Sequence, residues 1–166
     1  MPRRTALIVP VPEAEPVLSA VQVANDPAAA HGIPAHVTIL FPFAPLELVD
    51  ETALAELVSA FPVFDFTLDR IEHFGDVVWL HPEPSWRFID LTAAVSERWP
   101  DYPPYEGAFD EVIPHLTVSV TPIEIDVGLP IACRAREVVL IEELERDGSW
   151  TVRRRFALGA AQAGVA

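Results

Sequence analysis

Two short stretches of this chain carry side chains that could do chemistry: His36-Val37-Thr38-Ile39-Leu40 and His115-Leu116-Thr117-Val118-Ser119. Each sets an imidazole and a hydroxyl two residues apart, and the second begins 79 residues after the first in a chain of 166. An unperturbed imidazole titrates near pH 6.5. One ring of a pair can therefore be neutral and take a proton while the other is charged and gives one. Phosphodiester chemistry has that requirement: a base for the attacking oxygen and an acid for the leaving oxygen. The two threonine hydroxyls can donate hydrogen bonds to the non-bridging oxygens, where negative charge accumulates in the transition state. The scheme calls for no metal and no cofactor.

Both stretches lie in runs of aliphatic residues, each shortly after a proline (Pro34, Pro114), and read as strands. Side chains alternate between the faces of a strand. His36 and Thr38 then share one face and Val37 and Ile39 the other, and the same holds for His115 and Thr117 against Leu116 and Val118. The rest of the chain must bring these two surfaces together.

Thr5 to Val9 reads as a strand, and Glu13 to Ala24 as a helix opening near Pro16, with Val17, Leu18, Val21 and Ala24 at helical spacing. Residues 25–34 read as a loop before the first motif strand, which is expected to end near Phe43. Asp50 is the expected N-cap of a helix with Leu54, Leu57, Val58 and Phe61 on one stripe, closed by Pro62. Residues 63–71 alternate as a half-buried strand, Gly75-Asp76 marks a turn, and residues 77–80 form a buried strand. A third helix opens at Pro84-Ser85, presents Phe88, Leu91, Val95 and Trp99, and closes at Pro100. Residues 100–109, with three prolines and three aromatic rings, form a loop leading to the second motif. No helical pattern follows Thr121. Residues 136–144 and 149–158 read as two strands joined at Asp147-Gly148. Strands joined by hairpins among helices predict an α+β fold with largely antiparallel sheets. One motif per half predicts two pseudo-symmetric lobes around a central cleft, helices on the outer faces, within a single domain spanning residues 1–166.

Composition narrows the function. Apolar residues make up 51% and charged residues 22%, which describes a globular chain. A formal charge of −14 argues against duplex nucleic acid, whose binding needs many cations to displace counterions. A small nucleotide or an RNA end remains compatible. The early run Ala6 to Val9 is too short for a signal peptide and is broken by Pro10 and Pro12, and no stretch approaches a membrane span. A soluble, cytoplasmic monomer is expected. The single cysteine, Cys133, excludes an intramolecular disulfide and reads as buried filler.

Among the remaining polar residues, His31 reads as a surface loop residue, and His73 and His81 as turn residues flanking a strand. A zinc reading of the five histidines fails on spacing. Arg154 interrupts an apolar stripe of Val152 and Phe156, so it is a candidate phosphate ligand in the cleft, set against a snorkelling arginine at a sheet edge. Tyr105 and Phe109 are candidates to stack on a base.

The paired His-x-Thr motifs resemble those of the two-histidine (2H) phosphoesterase superfamily, which includes 2'-5' RNA ligase-like proteins and cyclic nucleotide phosphodiesterases. The similarity extends over most of the chain: a strand and helix before the first motif, Phe41-Pro42-Phe43 after it, and an interlobe hairpin and helix before the second. It implies that His36, Thr38, His115 and Thr117 are the catalytic residues and that the fold is two antiparallel lobes around a cleft. It implies a metal-independent phosphoesterase acting on a 2',3'-cyclic phosphate or a 2'-5' linked ribonucleotide, with ligation as the reverse direction. Two departures stand out: residues 122–130 lack the helix relatives often carry there, and the chain is acidic where RNA-active relatives tend to have a basic cleft. The alternative is a nucleotide- or RNA-end-binding protein that uses the same cleft without turnover.

Overall fold

The computed structural model describes residues 3–109, 111–144 and 148–159. Among them lie the strands β1 (Thr5–Pro10), β2 (His36–Leu40), β3 (Phe64–Phe74), β4 (Val77–Glu83), β5 (Leu116–Ser119), β6 (Ile131–Ala135), β7 (Glu137–Glu143) and β8 (Trp150–Ala157). The helices are α1 (Glu15–Asn25), α2 (Pro27–Ala30), α3 (Glu51–Ser59) and α4 (Trp86–Arg98). Two four-stranded sheets result, ordered β2-β1-β7-β8 and β5-β4-β3-β6, with every neighbouring pair antiparallel. The orders correspond position by position. Each motif strand is terminal in its sheet and pairs with the strand from which a helix separates it in sequence: β1, α1, β2 in one half and β4, α4, β5 in the other.

Local sequence accounts for most elements. Along β3, Phe64, Phe66 and Leu68 are buried while Asp65, Thr67 and Asp69 are not. The Asp50 side chain accepts a hydrogen bond from Ala53 N at 3.0 Å and caps α3. On α4, Phe88, Leu91 and Val95 turn inward, and Phe88 meets Phe64 and Phe66 edge-on, ring centroids 5.1 Å apart in each pair. Removing a ring so enclosed would cost about 3–5 kcal/mol. This core joins the inner faces of both sheets to α1, α3 and α4.

Two expectations need correction. Residues 25–34 are not all loop: Asp26 caps the one-turn helix α2 through Ala28 N, with Pro27 at its first position. An eighth strand, β6, is absent from the sequence reading; it pairs with β3 from Phe64↔Ala135 to Leu68↔Ile131. The hairpin of β7 and β8 forms as expected. Gly148 supplies a left-handed residue there, φ +96°, while Asp147 lies outside the described residues.

A terminal strand leaves one row of backbone groups without a ladder partner. Here the two halves cap each other. On α1, Gln22 Nε2 donates to Thr117 O at 2.8 Å, and Asn25 O accepts from Val120 N at 3.0 Å, closing the outer edge of β5. On α4, Thr92 Oγ1 donates to Ile39 O at 2.6 Å on β2. Gln22 and Thr92 are buried polar residues that serve the motif strand of the opposite sheet. Each motif strand also has a one-residue irregularity at the same place. Leu7 pairs with Leu40 and Ile8 with Thr38, leaving Ile39 extra; Val78 pairs with Ser119 and Trp79 with Thr117, leaving Val118 extra. Such a bulge shifts the alternation. Ile39 and Leu40 both enter the core after His36 and Thr38 have faced away from it.

The caps generate a test. Thr92→Val keeps the shape and removes the hydroxyl that donates to Ile39 O. Loss of a buried partner of this kind should cost about 1–3 kcal/mol. Urea denaturation should show the midpoint lowered with the slope retained. An unchanged midpoint would mean that the cap contributes nothing to stability.

Candidate active site

Residues directly opposite in an antiparallel pair share a face. Pro10 lies opposite His36 and Ile8 opposite Thr38, while Trp79 lies opposite Thr117. Residues of β2 and β5 come within 8 Å of each other, Cα to Cα. The folded chain thus brings together the two motifs that lie 79 residues apart in sequence.

The two imidazoles are held in the same way. His36 Nδ1 lies 2.8 Å from Pro34 O, and His115 Nδ1 lies 2.7 Å from Ile113 O, in each case the carbonyl two residues earlier. A carbonyl only accepts, so Nδ1 carries hydrogen in both rings and Nε2 is left as the nitrogen that gains and loses a proton. Burial pushes the pKa of both histidines below the ordinary imidazole value of 6.5. For His36 the Pro34 carbonyl and the Glu15 carboxylate oppose that shift, and the charge of His115 adds to it. The charge of the His115 ring therefore reaches His36. Thr38 and Thr117 are half-buried, and neither hydroxyl is taken up by a protein group among the described residues.

The His115 side has an aromatic wall. The ring lies edge-on to Phe74 at 5.3 Å and to Trp79 at 5.8 Å, and those two stack on each other at 4.6 Å. Facing them across a hollow of about 430 Å³ are Tyr105, Phe109, Glu111 and Ile113. Tyr105 and Phe109 meet edge-on at 5.6 Å. The loop that carries them is bent by three successive left-handed residues, Tyr105, Glu106 and Gly107, at φ 52°, 56° and 79°. Outside glycine this conformation costs about 1–2 kcal/mol per residue. It is pinned by Tyr105 N donating to Phe41 O at 2.7 Å, immediately after the first motif strand. Tyr105 and Phe109, the two candidates for stacking, therefore line a hollow beside His115.

Other candidates do not reach the site. Arg154 leans over Phe156 and approaches Glu51 on α3 to 4.0 Å. Arg154 lies opposite Leu140 and shares the face of Phe156, while an extra residue, Arg153, puts Val152 opposite Ile141 on the other face. Arg155 instead stands in the cross-strand row of Thr38, Ile8 and Val139, bound to Glu137. His73 and His81 are strand residues rather than turn residues, and His31 closes α2 at the surface beside Gly148. Folding brings the potential ligand atoms of Asp69, His81 and Glu83 within 4.8 Å, which sequence spacing did not reveal. His81 Nδ1 is already bonded to Asp69 at 2.9 Å, so the trio reads as a histidine–carboxylate pair. Cys133 is buried in β6, and burial pushes its thiol up to about 12, consistent with filler. The chain has no lysine, so all eleven of its permanently cationic side chains are arginines.

The sequence profile of the 2'-5' RNA ligase superfamily matches residues 9–158. No curated protein matches. Among solved structures, E. coli LigT in its apo form is 22% identical, with a TM-score of 0.67, 95% of this chain and 98% of that chain being covered. LigT complexed with 3'-AMP is 20% identical, with a TM-score of 0.65 and coverages of 95% and 99%. A protein of Thermus thermophilus is 20% identical, with a TM-score of 0.62 and coverages of 94% and 98%. At these identities the likeness concerns the fold. No helix among the described residues is long and apolar enough to cross a membrane.

The depressed imidazoles yield a prediction with a definite sign. Each histidine binds its proton less readily folded than unfolded. The stability each contributes is complete above the unfolded value near 6.5 and is lost as pH falls through the lower folded value. An NMR titration should place the His36 and His115 midpoints below 6.5. Replacing both by Asn should flatten the fall in stability between about pH 6.5 and 5. Midpoints at or above 6.5 would contradict the burial described.

Proposed function

The chain belongs to the 2'-5' RNA ligase superfamily, and we propose that it is a metal-independent phosphoesterase that opens a 2',3'-cyclic phosphate or cleaves a 2'-5' linked ribonucleotide. The observation that carries this reading is the matched pair of histidines. Both have Nδ1 fixed on a backbone carbonyl and Nε2 free, and each shares its strand face with a threonine hydroxyl. In this mechanism one Nε2 takes a proton from water as its oxygen bonds to phosphorus. The P–O bond to the ribose oxygen breaks, and the other imidazole gives its proton to that oxygen. Thr38 and Thr117 donate to the non-bridging oxygens. With a ribose 5'-hydroxyl in place of water, the same two imidazoles would join ends: one takes the hydroxyl proton as its oxygen bonds to phosphorus, and the other protonates the ribose oxygen released from the cyclic phosphate.

One imidazole serves as the base and the other as the acid; burial lowers the pKa of both. Tyr105 and Phe109 form the wall against which a base stacks. A net charge of −14 favours mono- and dinucleotides over long RNA. The related LigT has been solved with 3'-AMP, ATP and NADP+, which supports a small nucleotide as ligand.

Incubation with 2',3'-cyclic nucleotides should give ring opening with a bell-shaped dependence of kcat/KM on pH, displaced to the acidic side by the lowered pKa values. His36→Ala and His115→Ala should each lower turnover by about 10² to 10⁴-fold, and each should remove one limb of the profile, which identifies the base and the acid. EDTA should leave the rate unchanged. Activity lost to EDTA and restored by zinc or manganese would overturn the acid–base mechanism. Binding without turnover would leave a nucleotide-binding protein.

A further inference from the structure

The aromatic hollow beside His115 contains a group that phosphoester chemistry does not use. Its lining is Phe74, Tyr105, Phe109, Ile113, His115 and Glu111. Phe109 is 68% exposed and Phe74 38%, so both rings keep free faces for a flat ligand. Ile113 contributes an aliphatic side chain, and its carbonyl is already engaged by His115 Nδ1. Burial pushes the Tyr105 phenol upward, so it remains a neutral hydroxyl. The one ionic side chain of the lining besides the imidazole is the Glu111 carboxylate, which forms no ion pair with any described residue.

Resting on the proposed phosphoesterase reading, we infer that Glu111 selects the base in this hollow and that the preferred substrate is a guanine nucleotide. A carboxylate offers two oxygens that accept and nothing that donates. Guanine is the base whose Watson–Crick edge presents two adjacent donors, N1–H and the N2 amino group, matching those oxygens in a bidentate, charge-assisted pair. Adenine and cytosine present one exocyclic amino group next to an accepting ring nitrogen. Uracil sets its single N–H between two carbonyl oxygens, which a carboxylate repels. Stacking holds any base, and the carboxylate ranks them, guanine first and uracil last. The ranking also fits the acidic chain, because the contact adds no demand for a cation.

Calorimetric binding of guanosine 3'-monophosphate and uridine 3'-monophosphate tests this without any turnover. The guanine nucleotide should bind about 10-fold or more tightly, the order expected of one good bidentate contact. Glu111→Gln, a change at an exposed residue, should remove most of that preference by weakening guanosine 3'-monophosphate, while uridine 3'-monophosphate binds as well as before or better. Phe109→Ala should weaken both nucleotides alike. Equal affinity of the two for the unaltered protein, a preference that survives Glu111→Gln, or binding of neither would overturn the inference. The ring-opening assay decides the phosphoesterase reading separately. A guanine preference in binding with no ring opening would sink the catalytic reading and keep this one, and ring opening with no base preference would do the reverse.

Discussion

An unpaired strand edge is the constraint around which this molecule is built. Both candidate catalytic pairs sit on terminal strands, β2 and β5, where backbone groups have no ladder partner on one side. Such edges would ordinarily be wet, mobile and open to foreign strands. Here α1 and α4 cross over, and each closes the edge of the sheet it does not follow, through Gln22 and Asn25 in one case and Thr92 in the other. The exchange holds the two motif strands near each other and fixes their backbones. The bulges at Ile39 and Val118 then turn the strand ends into the core. Only on such a fixed backbone can a carbonyl two residues before each histidine set its tautomer. The placing of the two motif strands thus rests in part on two buried side chains outside the motifs, Gln22 and Thr92.

Much of this is legible in the sequence because it follows from local periods. The alternation of Phe64, Phe66 and Leu68, the Asp50 cap, the Phe88-Leu91-Val95 stripe and the paired motifs each report their own surroundings. What stays hidden depends on partners. β6 is five residues with an exposed Ala132 and Arg134, and only its pairing with β3 makes it a strand. Alternation alone puts Val152 on the face of Arg154 and Phe156, because the extra residue, Arg153, is defined by the register of β7. Phe74 and Trp79 reach His115 through the register of a hairpin and a neighbouring strand, so their ring contacts are invisible in a linear reading. Asp26 before Pro27 is a readable cap, but the four residues of α2 are too few to show a period.

Charge is arranged as economically as shape. The chain is acidic, yet two of its carboxylates are buried in β7: Glu142 is met by Arg153 at 2.8 Å and Glu143 by Arg4. Breaking such a pair costs more than the pair itself contributes, since it strands a charge away from water. Arg153 is the bulged residue of β8, so the irregularity that turns Val152 to the face opposite Arg154 also delivers a guanidinium to Glu142. Arg134, Arg136 and Arg155 are likewise committed to Asp65, Glu13 and Glu137. The cationic side chains of β6 to β8 thus each meet a carboxylate of the scaffold while Arg134, Arg136 and Arg155 stay more than half exposed.

The choice of arginine for every permanently cationic position has a consequence for observation. Guanidinium groups keep their charge throughout the aqueous range, and the one thiol is pushed up to about 12. Between roughly pH 6 and 9 the side chains that ordinarily change state are then the five histidines, since carboxylates and phenols have reference values outside that window. Lysine amines, which in most proteins add their own proton uptake at the alkaline end, contribute no background. Proton release on ligand binding, measured in buffers of different ionisation enthalpy, would therefore report imidazoles together with the N-terminal amine and any phosphate of the ligand, free of a lysine background.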